Sequence, residues 1–132
     1  RSDATLNPGG VRLGTAEIYS EVDKFKEIKE SIVVGQDWNN DVRIILFVVL
    51  NGKFNLDEIL IQRLKIQIRK NASPRHVPSK IIAVTDIPRT KNGKIVELAV
   101  KNVIDNREIK NLEALANPEA LEEYKDFNEL RY

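Results

Sequence analysis

This chain predicts an α+β fold, a small sheet of about three or more strands flanked by helices, and three observations carry that reading. The segment Val42–Leu50 is apolar almost throughout, the pattern of a central strand covered on both faces. Leu56, Ile59, Leu60, Leu64 and Ile68 recur at the spacing of an amphipathic helix. A second β-branched run, Lys80-Ile81-Ile82-Ala83-Val84-Thr85, lies well beyond that helix, so the order reads helix, two strands, helix, strand, helix.

The elements follow in turn. Residues 1–14, rich in Gly, Pro, Asn and Asp, form a linker and loop. Thr15 is placed to cap a first helix of about three turns, with Glu17 in its first turn and Ile18, Val22 and Phe25 along one face. Ser31–Gly35 is a short β-branched strand, and Asp37-Trp38-Asn39-Asn40-Asp41 a polar turn in which Trp38 packs locally. Asn51-Gly52 ends the central strand. Asn55 followed by Glu58 has the form of a capping box and starts the second helix, whose C-terminal end collects Lys65, Arg69 and Lys70. Two prolines keep residues 71–78 largely non-helical, and the lone His76 there reads as structural.

After the strand Ile81–Thr85 comes Ile87-Pro88-Arg89-Thr90-Lys91-Asn92-Gly93-Lys94. Pro88 cannot donate to a ladder and stops the strand. Asn92-Gly93 is a turn dipeptide, since Gly accepts positive φ at little cost. Lys94 is thereby held at the tip of a tight loop, just before a helix from about Ile95 to Ile104. The tail is more acidic and holds two short helices, 111–116 and Pro118–Phe127, whose Leu and Tyr side chains can pack back onto the body. The chain thus divides into a hinge and loop (1–14), an α+β domain (15–105) and a helical extension (106–132).

Composition excludes several function classes. With 21 basic against 20 acidic side chains the net charge is +1, which lacks the basic surplus a nucleic-acid partner requires. There is no cysteine, hence no disulfide or thiolate metal site, and a single histidine rules out a multi-histidine centre within this chain. The longest apolar run, Ile44–Leu50, is far too short for a membrane span. These features fit a cytoplasmic protein with neither nucleic acid nor membrane as partner. The chain has no methionine and starts at Arg1 on a linker, so a piece of a longer protein is expected.

The Pro-x-Thr-x-x-Gly-Lys pattern at Pro88–Lys94 resembles the catalytic-lysine loop of the adenylate-forming acyl-CoA synthetases. Arg1-Ser2-Asp3 through Gly9-Gly10-Val11-Arg12-Leu13-Gly14-Thr15-Ala16-Glu17-Ile18 resembles the hinge and following loop of the same family, in the same order. The resemblance implies the small, mobile C-terminal domain of an enzyme that joins a carboxylate to the α-phosphate of ATP and then passes the acyl group to coenzyme A. It implies that Lys94 meets the acyl carboxylate and the α-phosphate. It places Arg1 near the ribose and Arg12 near the phosphates, makes Asp3 the hinge residue, and puts Gly9 and Gly14 in the loop lining the coenzyme A channel. Gly9 stands where several relatives carry serine, so any contact there comes from backbone. Arg69 matches a coenzyme A nucleotide contact with Lys70 and Arg75 nearby, although a basic helix C-terminus is also stabilising without a ligand. Mg²⁺ would enter with the ATP phosphates rather than on this chain.

The partners implied are the enzyme's own N-terminal domain and a small carboxylate; the fragment alone is expected to be inactive. Within the family, Asn117-Pro118-Glu119-Ala120-Leu121-Glu122 and Ser73-Pro74-Arg75-His76-Val77-Pro78 are most similar to the acetoacetate-using branch, the acetoacetyl-CoA synthetases. The alternatives are a synthetase for acetate or another short acid, and a non-catalytic binding module of the same fold. An exposed Lys94 would also be open to acetylation, which removes its charge.

Overall fold

The computed structural model describes residues 5–6, 8–10, 12–93, 96–109, 112–125 and 127–132. At its centre lies a three-stranded sheet of β3 (Ile28–Trp38), β4 (Asp41–Leu50) and β5 (Lys80–Ala83), in the order β3-β4-β5. A separate ribbon of β1 (Thr5–Leu6) and β2 (Leu13–Gly14) precedes it. Three α-helices complete the frame: α1 (Ala16–Val22), α2 (Glu58–Asn71) and α3 (Glu97–Ile104).

The apolar run Val42–Leu50 is indeed the middle strand, and its two faces feed two cores. Ile44, Leu46 and Val48 point into one with Ile18 and Val22 of α1 and Leu60, Leu64 and Ile68 of α2. Ile45 and Phe47 point into the other with Val100 and Val103 of α3 and with Leu121 and Tyr124 of the tail. β3 and β4 form an antiparallel hairpin, while β4 and β5 run parallel, joined by α2 as the crossover. The hairpin turns on Asn39 and Asn40 alone, at φ 51° and 60°, the double left-handed geometry that suits the twist of paired strands.

Several expectations are corrected. α1 has two turns rather than three, because Lys24 and Phe25 bond back to Glu21 and Val22 and tighten the chain out of the helix. β3 runs for 11 residues, well beyond Ser31–Gly35. Its polar ends are satisfied from elsewhere: Glu30 pairs with Arg89, and Gln36 both donates to the Leu130 carbonyl and accepts from Arg43. The cap of α2 is Asp57, whose Oδ1 accepts the Leu60 N–H at 2.8 Å, not Asn55. Leu56 therefore precedes the helix, and Ile59 lies 71% exposed, leaving Leu60, Leu64 and Ile68 as the buried stripe. β5 ends at Ala83, although the Val84 N–H still reaches the Val48 carbonyl. The two short helices expected in the tail are 3₁₀ helices at Leu112–Ala114 and Pro118–Tyr124, and a third follows at Asn128–Arg131. The expected start of the third helix at Ile95 lies outside the described residues.

Carboxylates tie the helices down. Glu21 accepts from Asn71, Lys24 and Gln67, which holds its carboxyl below the usual range and locks α1 to α2. Glu27, buried at the head of β3, is held low by the Arg63 guanidinium. A depressed carboxyl adds stability above its ordinary value near pH ~4.3 and loses it as pH falls through the lower folded value. Glu27→Gln is therefore expected to lower Tm at neutral pH and to show a shallower fall of Tm on acidification, read by thermal melts from neutral to strongly acidic buffer. An acid slope equal to that of the unaltered protein would disprove the assignment. Among the described residues no helix is long and apolar enough to cross a membrane.

Candidate functional site

Two loops of interest flank the sheet, and the structure separates them. The first is the Pro8–Gly10 turn. Gly9 sits at φ 62°, a conformation that side chains resist, and its N–H donates to Asp41 Oδ1 at 2.9 Å. Asp41 is the first residue of β4, so the turn is pinned to that end of the strand. Just before the turn Leu6 packs close over Gly35, where a Cβ would lie 2.8 Å from Val42 and 3.1 Å from Leu6. Gly14 is extended in β2, opposite Thr5.

Beside Gly9 a cleft of about 260 Å³ is lined by Asp41, Arg43, Arg75, Val77 and Ser79. Val77 also borders a second groove of about 330 Å³, formed with Gln62, Lys65, Ile66, Arg69 and Pro74. The C-terminal end of α2 and the 74–76 turn thus bring Arg69, Arg75, Lys65 and Gly9 to one side of the molecule. His76, read in the sequence as structural, has both ring nitrogens near side chains: Nδ1 lies 2.6 Å from Ser73 Oγ, and Nε2 lies 3.7 Å from Glu17 on α1.

The second loop, 85–93, leaves the opposite end of the sheet. Its turn is closed by Gly93 N–H donating to the Thr90 carbonyl at 2.9 Å, with Gly93 at φ 83°. Along this loop six backbone polar groups are paired with the tail. The Thr85 N–H donates to Glu123 and the Asp86 carbonyl accepts from Tyr124 Oη at 2.7 Å. Asn117 bridges the proline: its Oδ1 accepts the Arg89 N–H at 2.8 Å, and its Nδ2 donates to the Ile87 carbonyl at 3.0 Å and to Asp86 Oδ2 at 2.9 Å. Ala116 N–H donates to the Arg89 carbonyl, and Lys91 N–H to the Ala114 carbonyl. Arg89 itself pairs with Glu30 of β3. Downstream, Tyr19 Oη donates to Glu97 at 2.6 Å and accepts the Val33 N–H, so α1, β3 and the start of α3 meet at one buried phenol.

The Gly9 turn rests on Asp41, and the second loop follows the Val84–Val48 bond. Asp41 and Val48 are seven positions apart along β4, roughly 23 Å at the rise of an extended strand. Of the residues singled out in the sequence, Gly9 and Arg69 share the first side. Arg1, Asp3 and Lys94 lie outside the described residues.

Guanidinium pairing sorts the arginines. Arg43, Arg63, Arg89 and Arg107 are committed to protein partners: Arg43 to Gln36, the tail carbonyls of Leu130 and Tyr132 and the Trp38 ring, the others to carboxylates. Arg12, Arg69 and Arg75 are exposed, and none has a side-chain partner among the described residues. An arginine free of internal partners keeps its donor fork for an oxyanion. Sequence reasoning missed Asn117, Tyr19 and Glu97. Only the Asn117-Pro118 dipeptide carried a signal, and it read as a helix start. No group of three or more His, Asp or Glu side chains able to hold a metal ion occurs among the described residues.

A family model described as AMP-binding enzyme C-terminal domain matches residues 17–94. Over 131 residues the chain is 60% identical to a protein named acetoacetyl-coenzyme A synthetase from Rhizobium meliloti, covering 99% of this chain and 20% of that protein. Among solved structures, acetoacetyl-CoA synthetase from Streptomyces lividans superposes with a TM-score of 0.83 at 40% identity, over 95% of this chain and 19% of that one. An acyl-CoA synthetase from Brucella canis follows with a TM-score of 0.70 at 26% identity, over 77% of this chain and 19% of that one. The chain spans about a fifth of the length of the curated relatives it matches.

Proposed function

This chain belongs to the family of AMP-binding enzyme C-terminal domains, and on that premise we propose that it is the mobile domain of an ATP-dependent acyl-CoA synthetase acting on acetoacetate. One observation carries the reading: the glycine loop is anchored at Asp41 of β4 and the lysine loop leaves β5 beside Val48, so their anchors lie roughly 23 Å apart at the rise of a strand. Both cannot serve one reaction centre at the same moment. A domain that presents them in turn matches a reaction in two halves.

In the first half a carboxylate oxygen of acetoacetate attacks the α-phosphorus of ATP, and the bond to pyrophosphate breaks. Two anions must approach, so a fixed cation between them lowers the barrier. Lys94 supplies it, as a compact charge on a long stem. Arg12 and Arg1 fork onto nucleotide oxygens. Mg²⁺ would come with the triphosphate and would screen its charge; no group of three or more His, Asp or Glu able to hold it occurs among the described residues. In the second half the domain turns about Asp3. The thiol sulfur of coenzyme A attacks the carbonyl carbon of the adenylate, the bond to AMP breaks, and the thiol proton passes to solvent. Gly9 and Gly14 leave the pantetheine arm room. Arg69 and Arg75, without a side-chain partner among the described residues and each lining one of two grooves that share Val77, offer charge for the coenzyme A phosphates. The cytoplasm supplies all three reactants and is the compartment we assign.

The test is the full-length protein, assayed with acetoacetate and with acetate for pyrophosphate release and thioester formation. Acetoacetate is expected to win in kcat/KM; turnover of acetate alone would assign the domain to another branch, and no turnover with any short acid would leave a binding module. Gly14→Leu is expected to block thioester formation while sparing ATP–pyrophosphate exchange. Because Gly14 is extended in β2 and not at positive φ, backbone strain does not confound that result. Normal thioester formation by this variant would remove Gly14 from the channel.

A further inference from the structure

We propose that Asn117 is a positioning residue for the lysine loop, which makes the C-terminal extension a working part of the adenylation machinery rather than an appendage. This rests on the reading of Lys94 given above.

The chemistry begins with Pro88. A proline lacks the N–H that a neighbouring strand would use, so the loop cannot simply continue β5 and pair along a ladder. It leaves the Ile87 carbonyl and the Arg89 N–H, on either side of the ring, in need of partners. The Asn117 carboxamide is a donor and an acceptor in one plane, and it meets both: Oδ1 to the Arg89 N–H at 2.8 Å, Nδ2 to the Ile87 carbonyl at 3.0 Å. One side chain does here what an adjacent strand would do. The second Nδ2 hydrogen reaches Asp86 Oδ2.

Flanking bonds extend the same seam. Thr90 and Leu115 form an antiparallel bridge, closed by Ala116 N–H to the Arg89 carbonyl at 2.9 Å and Lys91 N–H to the Ala114 carbonyl at 3.1 Å. Tyr124, buried at 1% exposure, adds its hydroxyl to the Asp86 carbonyl. The segment leading to Lys94 therefore owes its path to residues 114–124. The matched family model ends at Lys94, before any of them. The tail's side of the seam thus lies beyond the part of this chain that the family model covers.

A lysine that must sit between two anions tolerates little displacement, since a shift of about 1 Å can cost about 100-fold in rate. Removing the carboxamide is expected to loosen the loop at Pro88 while leaving the glycine loop, at the far end of β4, untouched. In the full-length enzyme Asn117→Ala should lower acetoacetate-dependent ATP–pyrophosphate exchange by about 10- to 100-fold. Thioester formation from supplied acetoacetyl-adenylate should stay unchanged. Asn117→Asp keeps the acceptor for Arg89 but turns an oxygen toward the Ile87 carbonyl and the Asp86 carboxylate, so its loss should be at least as great. Asn117→Ser, smaller and a good turn former, gives a third reading if the alanine variant folds poorly. Leu64→Ala on α2 serves as a matched destabiliser and should leave the ratio of the two half-reactions at its normal value.

Lys94→Ala separates the two ideas. If it retains adenylation, the underlying reading of Lys94 fails. If it loses adenylation while the Asn117 variants keep theirs, the positioning role alone fails. Parallel loss of both half-reactions in every Asn117 variant, including loss through unfolding, would also overturn it, because Asn117 would then be merely structural.

Discussion

Replacing Lys94 by alanine in the full-length protein is expected to cut acyl-adenylate formation by roughly 100- to 1,000-fold, the cost typical of losing one preorganised charge at a reaction centre. Conversion of supplied acetoacetyl-adenylate to thioester should survive. The asymmetry follows from the sheet, because the lysine loop leaves the Val48 end of β4 and the glycine loop is pinned at the Asp41 end. Lys94→Gln, which mimics acetylation by removing the charge, should behave in the same way. Lys94→Arg should recover little, since a planar fork cannot stand in for a compact ammonium between two oxyanions. ATP–pyrophosphate exchange and single-turnover thioesterification measure the two halves separately. Equal loss in both would mean that Lys94 serves both poses, and the division of labour between the loops would be wrong.

The second large effect is on stability. Phe47 is fully buried on β4, and its ring packs edge-on to Tyr124 at 4.9 Å and tilted to Phe127 at 5.8 Å. Phe47→Ala is expected to cost about 3–5 kcal/mol, the sum of lost burial and the cavity left behind. Denaturant unfolding measures the total. Hydrogen exchange should show the loss of protection concentrated at residues 112–131 and in the loop they hold, with α1 and α2 less affected because they pack on the other face of the sheet. Uniform loss across both faces would show that the two cores unfold as one and that the tail has no separate dependence on Phe47.

The parts of this fold that were legible were those where one local signal decides the outcome. Val42–Leu50 could only be a strand covered on both sides, and Asn92-Gly93 could only be a turn. The strand beginning at Ile28 was hidden because Glu30, Gln36 and Asp37 look solvent-facing until Arg89, Arg43 and Lys101 arrive from far along the chain. The cap of α2 was misplaced by two residues because Asn55 and Asp57 are both good caps, and only the observed Leu60 bond chooses between them. At the site, the family resemblance pointed to Lys94, Gly9, Gly14 and the arginines. They said nothing of Asn117 or of the Tyr19–Glu97 bond, since a partner 28 or 78 positions away leaves no periodic trace in a sequence.

The length of β4 has a further consequence for how turnover is timed. Pairing on both sides makes that strand stiff, and a one-residue slip would flip every inward side chain to the wrong face. The span between the two loops is therefore a fixed ruler, not an adjustable tether. If the reading of the loops holds, pyrophosphate must depart before the thiol is admitted, because the end of the domain that closes over one leaves no place for the other. The order of entry and exit, visible as ping-pong kinetics, is then set by the separation of two turns held at the two ends of one sheet rather than by affinity for either substrate.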